Sequence, residues 1–210
     1  MVKSITRRES IIASAATLAS CAVSQDASGA PVRHWTSLEQ SLYAKYMKEY
    51  VQSYKMRIDC ADLAIFGLIG FANKRKLPIR LFDYQILSKR WFQWKPGAEP
   101  SDHFAKMAAR ELGAANLIEN TLSVSLKDIR AGDLIMSEYN SADSTGHTRI
   151  VVSTEWDPKQ QDWWVTWFQG TLPPTIPERR HFHYKDMPNP HKVVLQPRRW
   201  NFTQFDAQFT

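Results

Sequence analysis

The sequence predicts an α+β fold in which helices come first and antiparallel strands follow. Three observations carry this. Apolar residues recur at helical spacing through the first half of the chain. Near Ala131-Gly132-Asp133 they give way to short apolar runs divided by turn residues, and no internal repeat interrupts the order. Thr36-Ser37-Leu38-Glu39 has the form of a capping box, and Leu38, Leu42, Tyr46 and Tyr50 follow it as a stripe, so a helix is expected from about Thr36 to Tyr54. Asp59 is a good N-cap for a second helix with Asp62 in its first turn and Leu63, Phe66, Leu68 and Ile69 as its body. Asn73 to Lys76 close it, and Pro78 stops it. Leu81 to Pro100 reads as an aromatic, loop-like stretch, with at least half its rings packing in the core. A third helix then starts after Ser101, carrying Phe104, Met107 and Leu112.

In the second half, Leu134-Ile135-Met136 and Thr148–Trp156 read as strands, separated by a polar loop from Asn140 to Gly146. Asp157-Pro158-Lys159-Gln160-Gln161-Asp162 reads as a hairpin loop, and Trp163–Gln169 as the returning strand. After the Pro173, Pro174 and Pro177 turn, Lys192–Gln196 is the expected last strand.

Composition sets the outer limits. The 210 residues are 43% hydrophobic and 12% aromatic, which excludes a disordered or low-complexity chain and allows one core. No apolar run approaches the roughly 18 residues of a spanning helix, which excludes a multi-pass membrane protein. Two cysteines, Cys21 and Cys60, exclude a disulfide scaffold and a Cys-rich zinc site. The formal charge is +6, of which Lys3, Arg7 and Arg8 against Glu9 place +2 in the first twenty residues. The remainder forms no basic stripe, so nucleic acid is not an expected partner.

Residues 1–20 read as an export signal, with a basic start and a short, weakly apolar stretch from Ile11 to Ala19. Leu18-Ala19-Ser20-Cys21 resembles a bacterial lipobox, which would make Cys21 a lipidated first residue. Thr6-Arg7-Arg8 resembles a twin-arginine leader. Residues 21–35 then form a tether to a domain spanning 36–210. The protein is expected in the periplasm or cell envelope, held to the membrane through its lipid anchor.

Cys60 stands at the first position of the second helix, where unpaired backbone N–H groups and the helix dipole favour a thiolate and can donate to an oxyanion. His147 opens a strand just after Gly146, whose missing side chain leaves room beside the imidazole. That imidazole could draw a proton from Cys60 and return it to a leaving group. A hairpin centred near Pro158 places Gln169 opposite His147, where its amide could orient the ring. A register error of one would turn it to the wrong face, leaving Asp162 or Thr171 as fallbacks.

Arg57-Ile58-Asp59-Cys60-Ala61-Asp62-Leu63, Ala131-Gly132-Asp133-Leu134-Ile135 and Gly146-His147-Thr148-Arg149-Ile150-Val151 together resemble the NlpC-like papain-fold cysteine peptidases over about Tyr50 to Gly170. The resemblance implies a papain-like half-barrel packed on the nucleophile helix, a Cys60–His147 dyad and cleavage of an amide bond in peptidoglycan stem peptides, without metal or cofactor. Ala61-Asp62 stands where the family has Ser-Gly, and the family's upstream Trp-Gly-Gly block is absent. Tyr54 and Tyr50 are the nearby tyrosines for the oxyanion side, and Asp59 and Asp62 are the candidate substrate contacts. Two other functions fit the same residues: a papain-fold hydrolase or acyltransferase acting on a lipid or another amide or ester, and a non-catalytic envelope lipoprotein that binds cell wall or a protein partner. His181-Phe182-His183, an i, i+2 pair on a possible strand, with His191 and Asp186 near it, lacks the spacing of a catalytic zinc site.

Overall fold

The computed structural model describes residues 33–84, 89–137, 146–189 and 194–206. The export signal, Cys21, the loop 138–145 and the segment around His191 lie outside the described residues. Among the described residues no helix is long and apolar enough to cross a membrane.

Helix α1 (Ser37–Ser53) is capped by Thr36, whose hydroxyl accepts from the Glu39 N–H at 3.3 Å. Only half of the capping box forms. The Glu39 carboxylate does not return to the Thr36 N–H but accepts a fork of bonds from Arg75, Nε at 2.9 Å and Nη2 at 2.8 Å, and a further bond from Arg33. The buried stripe is therefore Glu39, Tyr43, Met47 and Val51, one residue on from the expected one, and Leu38 faces solvent. A buried carboxylate, tolerable only because two guanidiniums meet it, hides this face from an apolar pattern search.

Helix α2 (Cys60–Arg75) begins where Asp59 Oδ1 accepts from the Asp62 N–H at 2.8 Å and ends at Lys76 in the left-handed conformation, φ 57°. It is buried on almost every side, with Leu63, Ile65 and Leu68 fully enclosed, and forms the central rod of the core. The tether ends sooner than expected. Trp35 is 4% exposed, donates its indole N–H to the Pro78 carbonyl at 2.7 Å, and packs on Phe71 and Phe202.

Strands β1 (Ile79–Asp83) and β2 (Arg90–Trp94) form an antiparallel hairpin where a loop is expected. Ile79↔Trp94 and Leu81↔Phe92 pair toward the core, while Arg80 lies over the Trp91 ring, 3.6 Å from its centroid, on the other face. Asp83, buried on the same side as Ile79 and Leu81, breaks the apolar alternation by which a strand is usually read. Helix α3 (Ser101–Glu111) buries Phe104 and leaves Met107 partly exposed. A short helix α4 (Ala114–Glu119) and strand β3 (Thr121–Ser123) follow it.

Strands β4 (Leu134–Ser137), β5 (His147–Asp157), β6 (Asp162–Gln169), β7 (Glu178–His183) and β8 (Leu195–Trp200) complete one antiparallel sheet in the order β3-β8-β4-β5-β6-β7. The described chain ends in helix α5 (Phe202–Asp206). The last strand lies C-terminal to its expected place. Its middle holds Arg198 and Arg199 rather than apolar residues, and Arg199 pairs with Asp133 through Nε at 2.8 Å and Nη2 at 2.7 Å. One sheet face, with Leu134, Met136, Ile150, Val152 and Phe168, packs on the helices. The other, with Ile135, Val151, Val165 and Trp167, is covered by Ile129 and Met187. The α+β class with antiparallel pairing is as the sequence predicts.

Candidate functional site

The start of α2 is held against the ends of β5 and β6 by backbone contacts. Ile58 and Thr175 exchange two main-chain hydrogen bonds, at 2.9 and 3.3 Å. Gly170 lies directly beneath the Ile58 and Asp59 carbonyls, so close that a Cβ there would stand 2.7 Å from the Asp59 oxygen and closer still to that of Ile58. This seats Cys60 beside the first residues of β5. The backbone N–H groups of Thr148, the residue after His147, of Ala61 and of Cys60 itself favour the thiolate form of the sulfur.

The expected thiolate does not follow. Cys60 is 9% exposed, and burial, aided by the negative charge of Asp59, outweighs the three N–H donors and pushes the thiol up to about 11. With the thiol pushed up by burial, the resting sulfur carries its proton at neutral pH.

His147 lies at the first position of β5, with Ser137 across from it on β4. Gly146, at φ 74°, is required for a different reason than room for the imidazole: a Cβ there would meet the Ser137 carbonyl oxygen at 2.8 Å. The His147 Nε2 is 3.1 Å from Gln169 Oε1, and the Trp167 indole N–H donates to that same oxygen at 3.0 Å. An indole nitrogen can only donate, so the Gln169 atom facing both rings is the carbonyl oxygen. His147 Nε2 must then carry the hydrogen, which leaves Nδ1 as the proton acceptor of the neutral ring. Burial and the neighbouring Arg149 charge push His147 down to about 4, against the opposing influence of Gln169 and Asp59.

Gln169 reaches His147 by a different register from the expected one. The hairpin closes with Asp157↔Asp162, and that register alone would bring Gln169 opposite Ile150, which faces the helices. A β-bulge between Val151 and Ser153 shifts the ladder by one, so that Phe168 pairs with Ile150 and Gln169 falls beside Arg149, on the face of His147. The bulge is what makes the His147–Gln169 bond possible.

Asp162 sits at the far end of this hairpin, where its Oδ2 accepts from the Lys185 N–H at 3.1 Å, and so it cannot orient His147. The Thr171 hydroxyl is spent within its own turn, on the Pro173 carbonyl and the Thr175 hydroxyl.

The start of α2 also carries the expected carboxylates. Asp59 caps the helix. Asp62 is half-buried and is pushed up to about 6, first by burial and then by the charge of Asp59. Tyr54, just past the end of α1, lies close enough to feel Asp62 and packs against Tyr50 with ring centroids 5.4 Å apart and the rings tilted by 59°.

His181 and His183 do share a face of β7, and both stack on Trp164. His181 bonds Thr166 Oγ1 at 2.8 Å, and His183 meets Asp157 Oδ2 at 3.2 Å. Among the described residues no group of three His, Cys, Asp or Glu side chains could hold a metal ion.

Trp167 and Arg149 are the two site residues that sequence reasoning missed. Each lies two positions from a nominated residue, so strand alternation places it on the same face. Nothing in its identity marks it beforehand. The chain matches no family model, no curated protein and no solved structure.

Proposed function

We propose that this protein is an exported, lipid-anchored cysteine hydrolase with a divergent NlpC-like, papain-type domain, and that it cleaves an amide bond in peptidoglycan stem peptides. The observation that carries the reading is the Trp167–Gln169–His147 chain. It leaves His147 Nδ1 free to act as a base, and the backbone N–H of the next residue, Thr148, favours the thiolate of Cys60.

The reaction starts from a neutral thiol and a neutral imidazole. As Cys60 Sγ forms a bond to the substrate carbonyl carbon, its proton passes to His147 Nδ1. The carbonyl oxygen becomes an oxyanion, met by backbone N–H groups at the start of α2. The C–N bond then breaks, and the departing amine takes the proton from His147. A water molecule gives a proton to His147 and its oxygen to the thioester carbon. Collapse releases the carboxylic acid and restores the thiol. Gln169 stabilises imidazolium less than a carboxylate would, which suits a pair that is uncharged at rest. Tyr54, Asp59 and Asp62, grouped around the start of α2, are the proposed substrate contacts.

Purified stem peptides and disaccharide-peptide fragments incubated with the full chain should yield products that together gain one water, read by mass spectrometry. Cys60→Ala and His147→Ala, with folding checked by circular dichroism, should yield none. Cleavage retained in Cys60→Ala overturns the mechanism. An inert wild-type chain that still binds whole cell wall identifies the domain as a binding module, and turnover confined to lipid esters reassigns the substrate.

A further inference from the structure

Nine large apolar side chains stand exposed among the described residues, and four of them share one end of the main sheet. Leu172 is 75% exposed, Met56 67% and Ile176 54%. The Ile58–Thr175 bridge brings these three together, with Met56 two residues before Ile58 and Ile176 directly after Thr175. Leu172 lies in the turn that follows Gln169, the last residue of β6, and that Thr171 closes on Thr175 through a 3.1 Å hydroxyl bond. Val194, 76% exposed, leads into β8 at the same sheet end, where Leu195 pairs with Ser137 and Ser137 with His147. Apolar side chains scattered singly over a surface need no explanation, but a group at one edge marks a contact surface. Two cations are set among them. Lys55 and Arg57 flank Met56, both are exposed, and among the described residues neither pairs with a carboxylate. Of the nearby acids, Asp59 is committed to capping α2, Glu178 pairs with Arg180, and Asp62 is half-buried.

We propose that this end of the sheet docks on an anionic lipid surface. Met56, Leu172 and Ile176 enter the boundary between headgroups and acyl chains, and Lys55 and Arg57 meet the lipid phosphates. Two features select a bilayer over a protein partner. A specific protein interface covers about 800 Å² on each side with matched shape, which three side chains projecting from two short segments do not supply. A lipid surface requires no matching shape, and its negative charge complements cations placed beside the inserting side chains. The inference goes beyond the hydrolase reading and does not require Cys60 to be a nucleophile.

The test is flotation of the full chain with vesicles, in a Cys21→Ser background so that no acyl group on Cys21 contributes. One set of vesicles contains phosphatidylethanolamine with phosphatidylglycerol, the other phosphatidylcholine alone. Residues 1–20 are common to every chain compared and cancel in the ratios. The parent chain should prefer the anionic vesicles and lose that preference at about 0.5 M salt. Lys55→Gln combined with Arg57→Gln should weaken binding to them about 25-fold, about fivefold for each cation. Met56→Ser, Leu172→Ser and Ile176→Ser together should weaken it about tenfold or more. Trp156→Ser, at the opposite end of β5, should bind as the parent does. All the substituted positions are exposed, and circular dichroism with urea melts checks that each chain is folded. Equal binding by the triple serine variant and the parent overturns the proposal, and so does an equal loss in Trp156→Ser. A parent chain that ignores vesicles but forms dimers that the triple variant lacks assigns this surface to a second copy and overturns it too. Stem-peptide cleavage is read separately: its absence counts against the hydrolase reading and leaves the vesicle result standing.

Discussion

Gly170→Ala is the substitution whose effect the geometry sets most tightly. A Cβ at this position would lie 2.7 Å from the Asp59 carbonyl oxygen and nearer to that of Ile58. Carbon and oxygen that are not bonded to each other settle at about 3.3 Å or more, so the two chains must part by roughly 1 Å. Neither side can yield by rotating a side chain, because both obstacles are backbone. The displaced segment carries Asp59 and leads directly into Cys60, and it is held by the two Ile58–Thr175 hydrogen bonds. Overpacking of this kind costs about 1–3 kcal/mol of stability, to which weakening of the two bonds adds about 1 kcal/mol. A misplacement of about 1 Å at a nucleophile lowers turnover by about a hundredfold. Urea denaturation reads the first effect and stem-peptide cleavage the second. Iodoacetamide labelling at pH 8 gives a third reading in the opposite direction: a sulfur drawn away from its buried seat on Thr148 should label faster than in the wild type. A Gly170→Ala chain that melts, cleaves and labels as the wild type does would refute the argument that this backbone approach seats Cys60.

Trp167→Phe removes the donor that locks the Gln169 amide. Cleavage should fall about tenfold and stability by about 1–2 kcal/mol, and the His147 ¹⁵N spectrum should show a mixture of ring tautomers in place of one. Glu39→Gln leaves the Arg75 fork facing a neutral amide in a site only 3% exposed, and should cost about 2 kcal/mol in a urea melt with no direct effect on the site. Asp62 gives a pH dependence of definite sign. Its folded pKa is raised to about 6 from 3.8, so its contribution to stability is full below 3.8 and is lost as pH rises through 6. The wild type should therefore gain stability relative to Asp62→Asn as pH falls from 7 to 4, by about 1–3 kcal/mol once solvent screening is allowed for. His147, whose pKa is lowered, acts with the opposite sign over a similar range in both chains, so it cancels in the difference. A gap between the two chains that is constant over this range would show that Asp62 titrates normally.

The elements legible in the sequence are those made by neighbours along the chain. The starts of α1 and α2 follow from Thr36 and Asp59, each of which satisfies an N–H three residues on, and such bonds form whatever the rest of the chain does. The hairpin between β5 and β6 follows from its turn residues. The elements that escaped are those whose buried faces contain charge. The β1–β2 hairpin holds buried Arg80 and Asp83, β8 holds half-buried Arg198 and Arg199, and the α1 stripe includes buried Glu39. For Glu39 and Arg199 the partners lie 36 and 66 residues away, at Arg75 and Asp133, so no local pattern marks those side chains as turned inward.

The site divides along the same line. Sequence alone nominated Cys60 at a helix start, His147 at a strand start and Gln169 on the returning strand, because cap, turn and motif chemistry are local. Tertiary structure decided whether Gln169 faces His147, through a one-residue bulge whose effect no spacing rule contains. It decided that Trp167 fixes the amide and that Arg149 shares the sheet face of His147. It also decided that the sulfur rests protonated. Charge state follows from burial and from the sum of fields over three dimensions, and a linear order of residues determines which groups are present without determining how much water each one loses.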